Sequence, residues 1–295
     1  MPPPPDVLVC VGASLPAEIP CERRIYYSHA AQLPVAGGWG LVVAVSEYHA
    51  SLLRHCPALS PVQAITAGAD GVAALSPRPL DRFLYASSPD RGLHQLLRMW
   101  PAFWRRFNLP LSITYDLRAV LARRGSGADP LAARLRDIAG LLDQPGVVVH
   151  GPLRDEQLAA LRARSLAHLY PLDPVLPDSE LLALSVLESG AAGVPLVLSP
   201  VDCLPSEYGA AACFVCDYEA ESWVGAVAEV LADRERWADR ARSHAASRDW
   251  QAWGAAWTSV VEGVPATPLP PRTEGAVAPV VVPPPFAWRP PELVP

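Results

Sequence analysis

Two carboxylates stand eight positions apart in the stretch 178–198. Glu180 and Glu188 flank an apolar segment that Gly193 and Pro195 then end, as they commonly end a helix. The pattern predicts an acidic, serine-containing loop, about three turns of helix and a buried strand. Along such a helix the two carboxylates would lie about 12 Å apart and about 80° apart around the axis. An extended ligand could then lie across the first two turns, with an anion such as phosphate on the free backbone N–H groups.

A solvated glutamate pair on an amphipathic helix would explain the two carboxylates alone. Together with the Gly-Val-Pro ending at 193–195, however, the Glu-x7-Glu spacing resembles the donor-binding signature of retaining glycosyltransferases with the two-domain GT-B fold, the glycogen-synthase-like group. The resemblance implies that Glu180 contacts the donor sugar, as a catalytic residue, and that Glu188 binds the ribose of a nucleoside diphosphate sugar. The neighbours of Glu180 that it places at the donor are Ser179, Leu181 and Leu182.

A second loop, Ser-Ser-Pro-Asp-Arg-Gly at 87–92, precedes a predicted helix and resembles one bacterial branch of the same family. In that family an Arg and a Lys-Gly pair hold the donor diphosphate. Arg91 and Gly92 take the place of the Lys-Gly pair, whereas the upstream Arg is absent and Ser87 lies near its position. The alternative is an N-capped helix start with an exposed Arg. All 24 basic residues are Arg, so a phosphate-binding side-chain cation here would be a guanidinium, which can bind through two N–H groups.

Two further loops are similar to the family. His-Gly-Pro-Leu at 150–153 resembles a strand-Gly loop whose backbone meets the nucleotide base, which makes Gly151 and Leu153 donor-binding candidates; a plain turn is the alternative. Leu-Pro-Ser-Glu at 204–207 resembles a Pro-Glu loop under the donor site, where a structural role is at least as well supported.

The N-terminal part matches the family in the order of three short segments. These are Tyr-Ser-His at 27–29, Val-Ser at 45–46 and Gly-Ala-Asp at 68–70. The resemblance makes His29 a candidate catalytic residue that touches the donor sugar, although a lone His is as often structural. His49 and His55, on or after a predicted helix, are expected to face solvent.

The elements that must position these residues alternate between strand and helix, which predicts an α/β fold. A complete C-terminal Rossmann-like, doubly wound parallel sheet follows a truncated N-terminal α/β lobe, and ligands of such sheets bind beyond the carboxyl ends of the strands. The lobe is about half as long as a complete domain of this fold. Either it is trimmed, the start is misplaced, or another chain supplies the rest. The predicted divisions are a partial acceptor-side lobe (1–78), a nucleotide-sugar-binding domain (79–247), a crossover helix with a packing stripe of Trp250, Trp253 and Trp257 (248–262) and a Pro-rich disordered tail (263–295).

The composition narrows the class of protein. With 51% hydrophobic and 18% charged residues the chain suits a globular core, and a net charge of −6 gives no basic footprint for nucleic acid. The Cys-x-x-Cys pair at 213–216 lacks the second pair or His of a metal site, so packing is the better reading. There is no transmembrane-length apolar run and no positively charged leader, which makes a cytoplasmic protein the default, with contact at a membrane surface left open.

The resemblance therefore implies a hexosyltransferase-type enzyme that moves a sugar from a nucleoside diphosphate sugar to an acceptor hydroxyl with retention. It implies no metal and no cofactor beyond that co-substrate; the acceptor, whether glycan, lipid or small molecule, stays open. Two alternatives remain. One is an inactive GT-B remnant that binds a nucleotide sugar or serves as a partner subunit, which the short lobe favours. The other is a sugar-nucleotide epimerase of the same fold.

Overall fold

Two parallel sheets, the first within residues 7–64 and the second within residues 82–214, make up the framework of the protein in a computed structural model. The structure describes residues 7–11, 23–29, 39–56, 59, 61–69, 79–117, 130–175 and 178–263. Asp70 and the Pro-rich tail from residue 264 onward, both of which figure in the sequence predictions, lie outside the described residues.

The first sheet has four parallel strands in the order β1-β2-β3-β4. The strands are β1 (Val7–Val11), β2 (Arg23–Ser28), β3 (Leu41–Ala44) and β4 (Val62–Ala64). Helix α1 (Glu47–Arg54) connects the last two strands, and the Ser46 hydroxyl caps it by accepting a hydrogen bond from His49 N. We call this sheet and helix the N-terminal lobe.

The second sheet has six strands, all parallel, in the order β10-β9-β8-β5-β6-β7. Its strands are β5 (Arg82–Tyr85), β6 (Leu111–Ile113), β7 (Val147–Val149), β8 (Ser165–Tyr170), β9 (Leu196–Leu198) and β10 (Ala212–Phe214). Read from β5 outward, the chain runs to one edge, returns beside β5 and continues to the other edge. This is the doubly wound Rossmann order, and it confirms the predicted α/β class.

Seven helices among the described residues connect and cover this second sheet, which together with them forms the C-terminal lobe. They are α2 (Leu93–Phe107), α3 (Pro130–Leu141), α4 (Asp155–Arg162), α5 (Leu184–Ala191), α6 (Leu204–Tyr208), α7 (Ala220–Ala232) and α8 (Arg234–Ala246). Aromatic side chains anchor α2 to the sheet, because Phe83 of β5 meets Trp100 and Phe103 edge-on while those two rings stack 5.8 Å apart.

A last helix, α9 (Trp250–Glu262), returns to the N-terminal lobe. Its Trp253 and Trp257 pack against buried Ile25 and Val43 of the first sheet. The segment between α8 and α9 also touches the linker after β4, where Ala69 N donates to a backbone carbonyl at 2.9 Å. The two lobes are therefore connected by the linker after β4 and also by α9, which packs on the first sheet.

Candidate functional site

The carboxyl ends of β5 and β8 lie side by side at the centre of the second sheet, where the strand order reverses. In doubly wound sheets a crevice opens at this switch point because the helices on its two sides run to opposite faces. The loop after β5 and the loop after β8 therefore meet at the place where this fold binds ligands. The sequence had singled out residues in both loops.

The loop after β5 is shaped by a glycine. Gly92 has φ of 103°, and a Cβ atom there would lie 1.9 Å from the carbonyl oxygen of Pro171, the first residue after β8. No other residue fits this contact. The Tyr85 hydroxyl fixes the start of the same loop by donating to Ser88 O at 2.7 Å. The backbones of the two loops are thus in contact at Gly92 and Pro171. Arg91 precedes this contact, and its backbone N–H donates to Ser88 O at 3.1 Å.

Arg91 faces the first of the two glutamates. Its Nη1 lies 3.4 Å from Glu180 Oε2, and its Nε lies 3.8 Å from an oxygen of Asp90. Nη1 is buried yet has no hydrogen-bond partner among the residues that the structure describes. A guanidinium with an unused N–H beside a carboxylate can donate a hydrogen bond to a further oxygen atom, such as an oxygen of a phosphate group.

Glu180 is largely enclosed, with 13% of its side chain exposed. The Tyr170 hydroxyl donates to Oε2 at 2.5 Å and Ala183 N donates to Oε1 at 2.9 Å. Burial and the charge of Glu180 raise the pKa of Tyr170 well above its ordinary value, so the phenol stays a donor. The Ser87 hydroxyl in turn donates to the Tyr170 oxygen at 3.1 Å. Ser87 and Arg91 therefore both connect to Glu180.

The predicted acidic loop and helix are present, but the predicted three turns of helix are wrong, because the helix begins later and is shorter. Helix α5 has eight residues and begins at Leu184, so Glu180 lies in the preceding loop and the expected helical geometry between the carboxylates does not apply. The reason is Ala183, whose left-handed backbone (φ 53°) turns the chain just before the helix. Glu180 instead reaches forward to the N–H of Ala183. In the first turn of α5, Val186 N and Leu187 N donate to Ala183 O at 2.9 Å and 3.3 Å, and the N–H groups before them point out of the helix start.

Glu188 lies in the second turn of α5 and forms an ion pair with Arg162 at the end of α4. The Glu188 side chain is 37% exposed, whereas that of Arg162 is 8% exposed. Arg162 thus binds Glu188 from the buried side, and the Glu188 side chain stays partly exposed. Nothing in the local sequence indicated this pair, because it joins two helices.

The loop after β7 offers open space at its glycine. Gly151 has φ of 73°, and a Cβ there would meet nothing within 4 Å. Leu153 packs with Leu84 and Leu161, and His150 Nε2 lies 3.1 Å from Ser112 Oγ. The glycine is required by its own backbone rather than by a close neighbour within the protein.

The remaining residues predicted at the donor lie around Glu180. Ser179 N donates to Asp202, Leu181 is buried and its carbonyl oxygen accepts from Ser46, and Leu182 O accepts from Tyr208 at 3.1 Å. In this segment the contacts are made by the backbone.

Of the three histidines in the N-terminal lobe that were named from the sequence, one differs from its predicted exposure to solvent. His29 is exposed at the end of β2, with its ring 6.1 Å from that of Tyr27, and has no contact with Arg91 or Glu180 within the described part of the chain. Its catalytic role stays a prediction. His49 is fully buried, not solvent-facing, because α1 packs that side against β2, where Ser28 Oγ lies 3.5 Å from Nε2. His55 is exposed, as predicted.

Sequence reasoning missed three residues that shape the site: Tyr170, Tyr48 and Asp202. The sequence does contain an indication of Tyr170, because this residue ends a predicted buried strand, and ligands of such sheets bind at the carboxyl ends of the strands. Tyr48 donates to Asp178 from the N-terminal lobe, and Asp202 accepts from the backbone around Glu180. Both contacts join segments far apart in the chain, so no local pattern announces them.

No protein-family model matches the sequence, and no curated protein sequence matches it either. Solved structures do. The pneumococcal O-GlcNAc transferase GtfA, solved with UDP and GlcNAc, aligns at a TM-score of 0.60 and 12% identity over 82% of this chain and 52% of its own. The chain has the GT-B fold.

Two further glycosyltransferases of this fold align over more of their own length. A trehalose-phosphate synthase (UDP-forming) from Burkholderia vietnamiensis gives a TM-score of 0.62 at 12% identity, over 83% of this chain and 70% of its own. The sucrose-phosphate synthase of Thermosynechococcus elongatus gives 0.61 at 16% identity, over 82% and 67%. Compared with the pneumococcal GtfA described above, this chain spans only about half of the enzyme's length.

Two other kinds of site are absent from the described ranges. No group of three or more His, Cys, Asp or Glu side chains there is arranged to hold a metal ion. No helix there is long and apolar enough to cross a membrane. Cys213, on β10, and Cys216 are both free thiols.

Proposed function

We propose that this GT-B protein is a glycosyltransferase that moves a hexosyl group from a nucleoside diphosphate sugar to an acceptor hydroxyl, with retention and without a metal ion. One observation carries the proposal: Arg91 and Glu180 face each other across the Rossmann switch point, with the guanidinium Nη1 3.4 Å from the carboxylate. The glycosyltransferases that share the fold supply the class of reaction, since two of them are described with UDP in their reactions or complexes.

In this proposal the diphosphate of the donor lies at Arg91 and at the start of α5. Charge builds on the leaving diphosphate as the bond to the sugar breaks, and a guanidinium and free N–H groups stabilise it without reorganising. The Arg91 side chain is 24% exposed, and its guanidinium offers N–H donors to a phosphate oxygen. A helix N-terminus adds the equivalent of about half a positive charge.

Glu180 orients the hydroxyls of the transferred sugar, and Glu188 binds the ribose diol. Each carboxylate is held by the protein on one side, Glu180 by Tyr170 and Ala183 N, and Glu188 by Arg162. Preorganisation of this kind removes the entropy of fixing a side chain when the donor binds. His29 acts near the reacting carbon, as the family resemblance implies. The retaining outcome accords with a trehalose-6-phosphate synthase of the same fold whose transfer proceeds with retention.

A second candidate is a GT-B remnant that binds a nucleotide sugar without turnover. Ser87 favours it, because the resembled enzymes place a second cation near this position and here a hydroxyl points to Tyr170 instead. A single guanidinium then has to offset the diphosphate charge.

The test is consumption of a panel of UDP-, GDP-, ADP- and dTDP-hexoses, followed as release of the nucleoside diphosphate in the presence of a chelator. We expect one nucleotide series to turn over and both Glu180→Ala and Glu188→Ala to lower kcat/KM at least tenfold, about 1.4 kcal/mol of transition-state stabilisation. Glu229→Ala, an exposed glutamate on α7, is the matched control.

Each other outcome has a distinct meaning. Binding without nucleotide release supports the remnant, and interconversion of two sugar nucleotides supports an epimerase. Turnover that stops with the chelator contradicts metal independence, and a product of inverted anomeric configuration contradicts retention.

A further inference from the structure

The backbone of the Glu180 turn is bound by a single carboxylate. Asp202, in the loop after β9, accepts hydrogen bonds from Asp178 N at 3.2 Å, Ser179 N at 3.1 Å and Glu180 N at 3.0 Å. Three successive N–H groups therefore point at one acceptor. They belong to neither a helix nor a sheet, and without Asp202 these partly buried donors would lack a protein partner.

The same loop also holds the other side of Glu180. Cys203 N donates to Glu180 O at 3.3 Å, so consecutive residues bind both the N–H and the carbonyl of the glutamate. Cys203 is fully buried. The peptide groups on both sides of Glu180 are thereby fixed, which limits the directions in which its side chain can point.

The backbone conformation of Asp202 suits this role and has a cost. Asp202 has φ of 49°, a left-handed conformation that Asp tolerates better than most residues, and Asp178 shares it at 54°. Burial raises the pKa of Asp202, and the N–H bonds from Glu180 and Asp178 act against that rise. A strained, partly buried carboxylate persists only where the surrounding structure holds it in place.

The N-terminal lobe holds the same turn from the opposite side. The Tyr48 hydroxyl donates to Asp178 Oδ1, and the Ser46 hydroxyl donates to Leu181 O at 2.5 Å. The Ser46 hydroxyl also accepts from His49 N as the cap of α1, so one side chain connects the start of that helix to the Glu180 turn. The segment 178–181 is thus bound at both ends by side chains of the N-terminal lobe, while Asp202 of the C-terminal lobe binds its N–H groups at 178–180.

We infer that Asp202 is a positioning residue for Glu180: by binding three successive N–H groups of the turn, it directs the carboxylate toward Arg91 and toward the sugar of the donor. Asp202 contacts no donor atom in this account and acts only through Glu180. The inference rests on the proposed function, since it assigns Asp202 to recognition of the sugar and not of the nucleotide.

The isosteric change Asp202→Asn tests it. An amide offers one oxygen where the carboxylate offers two, so an NH₂ group must face either Asp178 N or the N–H groups of Ser179 and Glu180. The Glu180 turn then shifts, while Arg91 and the start of α5 are unchanged. Nucleotide affinity should stay within about twofold, whereas the additional affinity contributed by the sugar should fall about tenfold.

The measurement is calorimetric titration with the nucleoside diphosphate that the wild type binds and with the matching sugar nucleotide. Asp217→Asn is the matched control, because Asp217 also accepts from a backbone N–H (Glu219 N, 3.0 Å) but lies on the exposed surface at the start of α7. Asp202→Ser also keeps one acceptor but brings no NH₂ group to face a backbone N–H, so it should lose less discrimination than Asp202→Asn. It also provides a second variant if the amide form does not fold.

The outcomes separate the inference from the function on which it rests. If the wild type binds nucleotide and sugar nucleotide equally, the proposed recognition of the sugar by Glu180 fails. If the wild type discriminates and the Asp202 variants discriminate as well as it does, only the positioning role of Asp202 is overturned. Loss of discrimination with nucleotide affinity kept supports the role.

Discussion

At the scale of one residue, His168 shows how burial in the protein interior prevents a side chain from binding a proton. It lies within β8 with no exposed surface, and Nδ1 is 2.9 Å from Ser189 Oγ. Burial, with a further contribution from the Arg162 charge, lowers its pKa to about 3. The side chain is therefore neutral in the folded protein across the ordinary pH range.

The unfolded chain behaves differently, because a free histidine has a pKa near 6.5. Between about pH 6.5 and about pH 3 the unfolded state binds the proton that the folded state excludes, so stability from this group is complete above pH 6.5 and is lost as pH falls. The limiting slope is about 1.4 kcal/mol per pH unit. We expect His168→Gln to lose less stability than the wild type between pH 7 and pH 5, measured by urea unfolding.

His55→Gln is the control for that measurement, since His55 is exposed at the end of α1. It should keep the wild-type dependence on pH. Equal slopes for the wild type and His168→Gln would show that the buried ring does not exclude its proton.

At the scale of elements, a buried ion pair holds the junction between the lobes. Glu207 on α6 lies 2.5 Å from Arg248, and their side chains are 2% and 13% exposed. Arg248 follows α8, and its carbonyl accepts from Ala69 N of the linker after β4. The segment 204–207, which resembles the family's Pro-Glu loop, thus lies in helix α6 and has a structural contact, the alternative that the sequence had left open.

Removing the charge of Glu207 should therefore be costly. Glu207→Gln leaves the Arg248 guanidinium without its counter-charge in a mostly dry place, and we expect a loss of about 3 kcal/mol in the free energy of unfolding. The apolar pair Glu207→Leu with Arg248→Met should lose less than the single variant, because no buried charge is left unpaired. Urea titrations compare them, and a single variant as stable as the wild type would contradict the argument.

Elements with a strong local pattern were predictable, and those shaped by distant contacts were not. Helix α2, Leu93–Phe107, follows the loop at 87–92 as predicted, since its apolar periodicity matches the face that it buries and Asn108 ends it. Helix α5 is shorter than predicted although Leu-Leu-Ala-Leu is a good helix-forming run. There the side chain of Glu180 and the acceptor Asp202 hold the backbone in a turn, and no local propensity reveals either bond.

At the scale of the whole molecule, the alternation of strand and helix predicts the doubly wound sheet, and the strand order then brings the β5 and β8 loops together. Arg91 and Glu180 could accordingly be nominated from sequence. The contacts around the site could not, because Tyr170 reaches Glu180, Arg162 reaches Glu188 and Tyr48 reaches Asp178 across gaps in the chain that only the folded structure closes.

The most direct measurement of the central claim is the affinity for a nucleoside diphosphate in the wild type, Arg91→Met and Arg91→Lys. If the switch point binds the diphosphate, Arg91→Met loses a charge-assisted hydrogen bond and binds at least tenfold more weakly, about 1.4 kcal/mol, while Arg91→Lys keeps part of the affinity. Arg98→Met, at an exposed arginine on α2, should bind as the wild type does. A wild type that binds none of the UDP, GDP, ADP and dTDP panel, or an Arg91→Met variant with unchanged affinity, would contradict the account.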